Sequence, residues 1–257
     1  MLDNISSGPA IKGLYVDGRW QATPGQFDDL NPSDGTVWAQ VPDAGAAETR
    51  RAIEAAHRAF PAWSSLRFQE RAHFMLKIAD IWDKRAQDYV IAAQYEGGGS
   101  YGKGMFEAGH VSETFRAAAG LCYGAIGEIL PSQYGKVSTA VRVPTGVVGV
   151  ISPWNVPGIL TSRGFAFAMA TGNTIVLKPS EETPYAGGLF FAEILEEAGV
   201  PNGVFNVVTA SRDRTPEVGD ELIDNPLVKG ISFTGSTPVG RRIAAKCGAH
   251  LKKCCIE

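Results

Sequence analysis

Hydrophobic positions follow a helical rhythm over the first half of the chain and a strand-helix alternation over the second. Ala46 to Trp63 is Ala-rich, with Pro61 near its end. Phe68 to Tyr95 sets Phe74, Ile78, Ile81 and Trp82 on one face, the spacing of a single amphipathic helix. Glu96-Gly97-Gly98-Gly99-Ser100 predicts a break, and a third helix is predicted over about 103–122. Ahead of these, Leu14 to Trp20 reads as a short hairpin around Asp17-Gly18. Asn31-Pro32 and Asp34-Gly35 mark turns.

Residues 126–146 differ from both halves. Val137, Thr139, Val141 and Val143 alternate with polar neighbours, which predicts a hairpin offering one face to another surface. From Gly146 the pattern turns regular. Val147 to Ile151, Thr174 to Leu177, Val204 to Val208 and Ile231 to Phe233 are short apolar runs between turn signals, as buried parallel strands are. Helices are predicted between them over 158–171, Pro184 to Ala198, 216–224 and from the Gly-bounded loop to Cys247. Cys254 to Glu257 begins a fifth strand. Such alternation predicts an α/β fold: a Rossmann-like open parallel sheet with helices on both faces, plus a protruding β-hairpin.

Composition narrows the function classes. The 257 residues are 44% hydrophobic and 20% charged, with a net charge of -3. That balance argues against a broad nucleic-acid footprint, which needs clustered Lys and Arg. The apolar stretches, such as 146–151, are short and Gly-broken, so no membrane span is expected. Residues 1–10 lack the basic start and apolar stretch of a secretory leader, which points to the cytoplasm. Four cysteines without a C-x-x-C or a histidine at ligand spacing make neither a disulfide framework nor a zinc site.

In an open parallel sheet, ligands bind at the carboxyl ends of the strands. After the first strand stands Ile151-Ser152-Pro153-Trp154-Asn155-Val156-Pro157-Gly158. Asn155 is either a plain helix cap or an amide donor to a developing oxyanion, worth about 3–4 kcal/mol in a transition state. After the second stands Lys178-Pro179-Ser180-Glu181. Lys178 suits ligand hydroxyls or phosphate, and Glu181 stands where such folds bind the adenosine ribose. The alternative there is a capping box begun by Ser180. After the fourth stands Gly235-Ser236-Thr237-Pro238-Val239-Gly240, a phosphate-type helix start or simply a capped one. Glu257, at the end of the fifth, is either a solvated carboxylate or a general base.

Pro153-Trp154-Asn155, Leu177-Lys178-Pro179-Ser180-Glu181, Phe233 to Gly240 and Ile256-Glu257 occur in the order and spacing of the aldehyde dehydrogenase superfamily, which the chain resembles from about Tyr15 onward. The resemblance implies NAD-dependent oxidation of an aldehyde to a carboxylic acid, with NADP also open. In the family a cysteine thiolate attacks the aldehyde, hydride passes to the nicotinamide, and a glutamate activates water to release the acid. By position, Asn155 matches the oxyanion amide and Glu257 the general base. Lys178 and Glu181 match the residues that hold the adenosine ribose, Ser236 the pyrophosphate contact and Trp154 the aromatic beside that phosphate. Ile151, Ser152, Pro153, Ser180, Gly235 and Val239 complete the expected cofactor-binding set. Residues 1–125 and 147–257 match the NAD-binding domain, and 126–146 the hairpin through which subunits form a homo-oligomer.

The chain departs from the pattern in one large way. The family's nucleophilic cysteine lies beyond the glutamate that Glu257 matches, and none of Cys122, Cys247, Cys254 and Cys255 stands in its context. The catalytic domain is therefore expected to be absent and the chain inactive alone. A stand-alone nucleotide-binding module or a subunit-interaction module is the alternative. Gly97-Gly98 replace a common Thr-Gly, and Phe167 replaces a common proline.

Overall fold

The computed structural model describes residues 8–257. The leader reading of residues 1–10 and the start of the 1–125 unit lie partly outside them. Among the described residues, seven strands form one sheet. Its centre is five parallel strands: β7 (Val147–Ile151), β8 (Thr174–Lys178), β9 (Phe205–Val207), β10 (Val228–Phe233) and β11 (Lys253–Ile256). Their order across the sheet is β11-β10-β7-β8-β9. The chain starts in the middle, moves to one side, then returns to the other side of its first strand, as in doubly wound folds. The switch lies between β7 and β10.

The sheet is parallel only in that centre. β1 (Leu14–Val16) and β2 (Arg19–Gln21) form the expected hairpin, and β1 adds antiparallel to β9 through Tyr15 and Val207. Asp17, at φ 55, and Gly18, at φ 70, make its tight turn. The Asp17 N–H is held by the Asn206 side chain at 3.0 Å.

Strand alternation divides the apolar residues between two cores. Tyr15, Val150, Ile175, Leu177, Phe205 and Val207 face one. Leu14, Val16, Val147, Val176, Val208 and Ile231 face the other. The first core is covered by α2 (Phe68–Lys84), α3 (Ala86–Gly97), α4 (Tyr101–Leu121), α5 (Pro157–Ala170) and α6 (Phe190–Glu197). Trp82 anchors it: its ring stacks on Phe191 at 4.8 Å, and its indole N–H reaches the Ala108 carbonyl at 3.0 Å. The second core is covered by α1 (Ala46–Ser64), α7 (Thr215–Asp224) and α8 (Thr237–Ala249).

Two local expectations are corrected, and a strand pair is added. Phe68 to Tyr95 is two helices, not one. Arg85, at φ -104 and ψ 10, ends α2 and starts α3. Its guanidinium pairs with Asp88 at 3.2 Å and with Glu193 of α6 at 2.8 Å, so the break turns a second apolar face onto the core. Pro184 to Ala198 begins as a π-helical turn, Tyr185–Leu189. There the buried Glu96 carboxylate takes the N–H groups of Tyr185 at 2.6 Å and Ala186 at 2.7 Å. The turns at Asn31 and Asp34 join a strand pair that the sequence pattern concealed, β3 (Gln26–Leu30) and β4 (Val37–Pro42).

The segment 126–146 is a hairpin of β5 (Gly127–Leu130) and β6 (Ser138–Val141), paired with each other and with no other strand among the described residues. Its apolar side chains stand in solvent: Ile129 is 81% exposed and Val137 79%. No helix among the described residues is long and apolar enough to cross a membrane.

Candidate functional site

Four strand ends lie side by side at the carboxyl edge. Register pairs Lys178 with Ile151, Ile151 with Phe233, and Phe233 with Ile256. The ladder continues one residue past each end. Ser152 N–H meets the Lys178 carbonyl at 3.2 Å, Thr234 N–H the Ile151 carbonyl at 3.1 Å, and Glu257 N–H the Phe233 carbonyl at 2.9 Å. At a strand spacing of about 4.8 Å, the row from Lys178 to Ile256 runs roughly 14 Å. The loops that follow these strands therefore leave from one line, and Glu181 and Ser236 stand on the same edge of the molecule.

At the β8 end, Lys178 is almost fully buried, and its ammonium pairs with Glu181 at 3.2 Å. Burial pulls the lysine below its ordinary range, with the Glu181 charge opposing. Burial pushes Glu181 up, but Lys178, a backbone N–H and Arg212 together outweigh it and hold the carboxyl low. The two partners shift in senses that a simple ion pair would not produce. The reason is depth: side-chain exposure is 3% for Lys178 and 22% for Glu181, so desolvation wins on the lysine and charge wins on the glutamate. Ser180 takes the plain role, its hydroxyl accepting the Glu182 N–H at 3.3 Å.

At the β7 end, Ser152 is buried and its hydroxyl accepts from Thr161 on α5 at 2.7 Å. It thereby fastens the strand end to the helix. Trp154 is 55% exposed. Asn155 is exposed and does not cap α5: the residue before the helix is Val156, with Pro157 in the first turn. The start of α5 is held from below. Glu107, fully buried, accepts from Tyr89 at 2.7 Å, from Lys103 at 2.6 Å and from the Gly158 N–H at 3.0 Å.

At the β10 end, Gly235 passes over the Phe233 ring so closely that a Cβ would lie 2.6 Å from it. Ser236 takes the cap position of α8, but its hydroxyl makes no capping bond. Gly235, Ser236 and Val239 are all exposed. Glu257 is exposed at the end of β11, its carbonyl bonded to the Gly235 N–H at 3.1 Å.

Sequence reasoning missed Arg212, which follows β9 and pairs with Glu181 at 3.4 Å and Glu182 at 2.5 Å. It is the first charged residue after the third strand, a signal that strand-end reasoning extends to. Also missed was a buried acid pair beside this corner, Asp29 of β3 and Glu96 of α3, each 2% exposed. Burial pushes Asp29 up to about 7; a hydrogen bond with Glu96 opposes this and the Glu182 charge adds to it. Burial and then the Asp29 charge push Glu96 well above the carboxylate range. Groups raised on folding stabilise below their unfolded pKa and lose that contribution as pH rises through the folded value. Through Asp29 the chain is therefore expected to lose stability between about pH 4 and 7, by up to about 1.4 kcal/mol per pH unit for each proton released. Denaturant titrations of Asp29→Asn should show a flatter profile over that window; a profile parallel to the parent's would contradict the raised Asp29 carboxyl.

Strand order, switch point and strand-end chemistry define a Rossmann-like α/β protein. The sequence pattern of the Aldehyde dehydrogenase family matches residues 20–257. The chain is 40% identical over 249 residues to the glutarate-semialdehyde dehydrogenase of Pseudomonas aeruginosa, covering 95% of this chain and 50% of that protein. It is 38% identical over 251 residues to the benzaldehyde dehydrogenase (NAD+) of Pseudomonas putida, covering 97% and 51%. The crystal structure of a salicylaldehyde dehydrogenase from Pseudomonas putida, complexed with salicylaldehyde, superposes with a TM-score of 0.91 at 32% identity, covering 94% of this chain and 50% of that one. The chain belongs to the aldehyde dehydrogenase family. It spans about half the length of the curated relatives it matches.

Proposed function

We propose that this chain carries the NAD-binding half of an aldehyde dehydrogenase and oxidises no aldehyde alone. The observation that carries the reading is the row of strand ends, which sets the Lys178-Glu181 pair and the open start of α8 along one edge. The residues present fit a dinucleotide. An ammonium has three donors, and Glu181 is the hydrogen-bond partner of Lys178, which leaves donors for ribose hydroxyls. The Ser236 hydroxyl and the free N–H groups of the first turn of α8 suit a pyrophosphate. Ile151, Ser152 and Pro153, at the end of the strand between them, and Trp154, Gly235 and Val239 are assigned to the same cofactor site. The Glu181 carboxylate accepts from ribose hydroxyls and repels a 2′-phosphate, which favours NAD over NADP.

Bound NAD would supply the acceptor for the aldehyde hydride. Asn155, exposed just ahead of α5, presents its amide to the oxygen that gains charge. Glu257, exposed at the end of β11, serves as base toward water. None of the four cysteines is assigned as nucleophile. Cys122 and Cys247 are buried, and burial raises both thiols. Cys254 and Cys255 lie within the outer strand β11. The exposed hairpin 126–146 is proposed to pack against another subunit of the whole enzyme, as exposed apolar patches of this kind do.

One preparation tests both halves of the proposal. Calorimetric titration with NAD should give a saturable heat, and the same sample mixed with NAD and benzaldehyde should form NADH no faster than buffer. Absence of any heat would remove the cofactor role, and sustained NADH formation would overturn the inactivity.

A further inference from the structure

Three thiols gather where α8 turns into β11. Helix α8 buries Gly240, Ile243 and Cys247, one stripe at helical spacing. Beyond it Leu251 takes a left-handed conformation, φ 53, and the Lys252 N–H returns to the Cys247 carbonyl at 2.9 Å. The chain thus folds straight back under the last turn of the helix and enters β11. Ile256 faces α8, because a Cβ on Gly240 would lie 2.9 Å from its Cγ2. Side chains two apart on a strand share a face, so Cys254 also points at α8, one step nearer the turn. The stripe and the strand run antiparallel: Gly240 meets Ile256, and Cys247 meets Cys254. Electrostatics agree with that placement. Burial pushes the Cys247 thiol up, and the Cys254 thiol pushes it further the same way.

Cys255 points to the opposite face of the strand. A bridge between adjacent Cys254 and Cys255 is disfavoured for that reason, since their Cβ vectors diverge. Of the pair that faces inward, Cys254 is exposed and Cys247 is buried. One thiol is open to a small oxidant and the other is shielded behind it, the arrangement of an attacking and a resolving cysteine.

We propose that Cys247 and Cys254 form a peroxide-responsive thiol pair that closes reversibly to a disulfide, stapling β11 to the last turn of α8. The Cys254 thiolate attacks one oxygen of hydrogen peroxide; the O–O bond breaks, the sulfur becomes a sulfenic acid, and one water leaves. The Cys247 thiolate then attacks the Cys254 sulfur; the S–O bond breaks, the S–S bond forms, and a second water leaves. Two thiols give up two electrons and two protons, and one peroxide becomes two waters. The staple lies at the far end of α8 from Ser236, so it does not occupy the strand-end site. The inference does not rest on the proposed cofactor role.

The test is a peptide map of the full chain. Protein treated with a few equivalents of hydrogen peroxide is blocked with an alkylating reagent and digested with trypsin without reduction. The expected product joins the peptide that begins at Cys247 to the one that begins at Cys254. It is lighter than their sum by two hydrogens, disappears with dithiothreitol, persists in Cys255→Ser and is lost in Cys254→Ser. Fragment ions from the unsubstituted chain locate the bridge even where Cys247→Ser fails to fold. A bridge through Cys255, oxidation of Cys254 that leaves Cys247 fully alkylated, or thiols that all remain unreacted would each overturn the proposal.

Discussion

Replacing Lys178 with methionine should weaken NAD binding by roughly 10- to 100-fold, the loss of charge-assisted hydrogen bonds worth about 1.5–3 kcal/mol. Methionine suits the change because the lysine stem is buried at the end of β8 and an apolar chain of similar length fills that space. The fold should persist, since Glu181 is the ammonium's one ion-pair partner and Arg212 remains at 3.4 Å to hold that carboxylate. Calorimetric titration of the parent and Lys178→Met, with matched thermal unfolding as a control for folding, reads the effect. Unchanged affinity in a folded variant would place the cofactor elsewhere.

The second large effect concerns stability. Glu107→Ala should destabilise the chain by about 3 kcal/mol, because it removes a fully buried carboxylate that three donors share, although the Gly158 N–H keeps the Tyr89 hydroxyl oxygen at 2.8 Å and Lys103 can turn to solvent. Those donors are the Tyr89 hydroxyl, the Lys103 ammonium and the Gly158 N–H. For a chain of this length the thermal midpoint should fall by roughly 10 °C. Glu107→Gln keeps the geometry and should lose less. The consequence reaches the candidate site, since Gly158 stands in the first turn of α5, immediately after the Asn155 loop. A loss below about 1 kcal/mol on denaturant unfolding would mean that this buried cluster is not holding the helix start.

The parallel centre of the sheet was legible in the sequence for a simple reason. Strands buried on both faces read as near-continuous apolar runs, and Val147 to Ile151 and Ile175 to Leu177 do. The β3-β4 pair hid because Asp28 and Asp29 interrupt its apolar rhythm, and Asp29 is buried beside another acid, Glu96. The break at Arg85 carries no glycine or proline. It depends on Glu193, more than a hundred residues away. The π-helical turn at Tyr185 likewise depends on a carboxylate from α3. Each of these is set by a tertiary partner, which local periodicity does not encode.

Within the candidate site, the strand ends that spacing and resemblance singled out lie side by side. What spacing alone left open was the role of each. The structure gives Ser180 a turn-forming bond, leaves the Ser236 hydroxyl without a capping bond, and removes Asn155 from the cap of α5. Arg212 escaped notice because it follows the third strand, the one end that carried no recognised motif.

Hydrogen exchange with and without NAD tests the central claim most directly, because it reports where on the chain the dinucleotide rests. Slowed exchange is expected at 151–156, 178–182 and 234–240 together, with the hairpin at 126–146 unchanged. Slowing confined to other segments, or none at saturating NAD, would contradict the account.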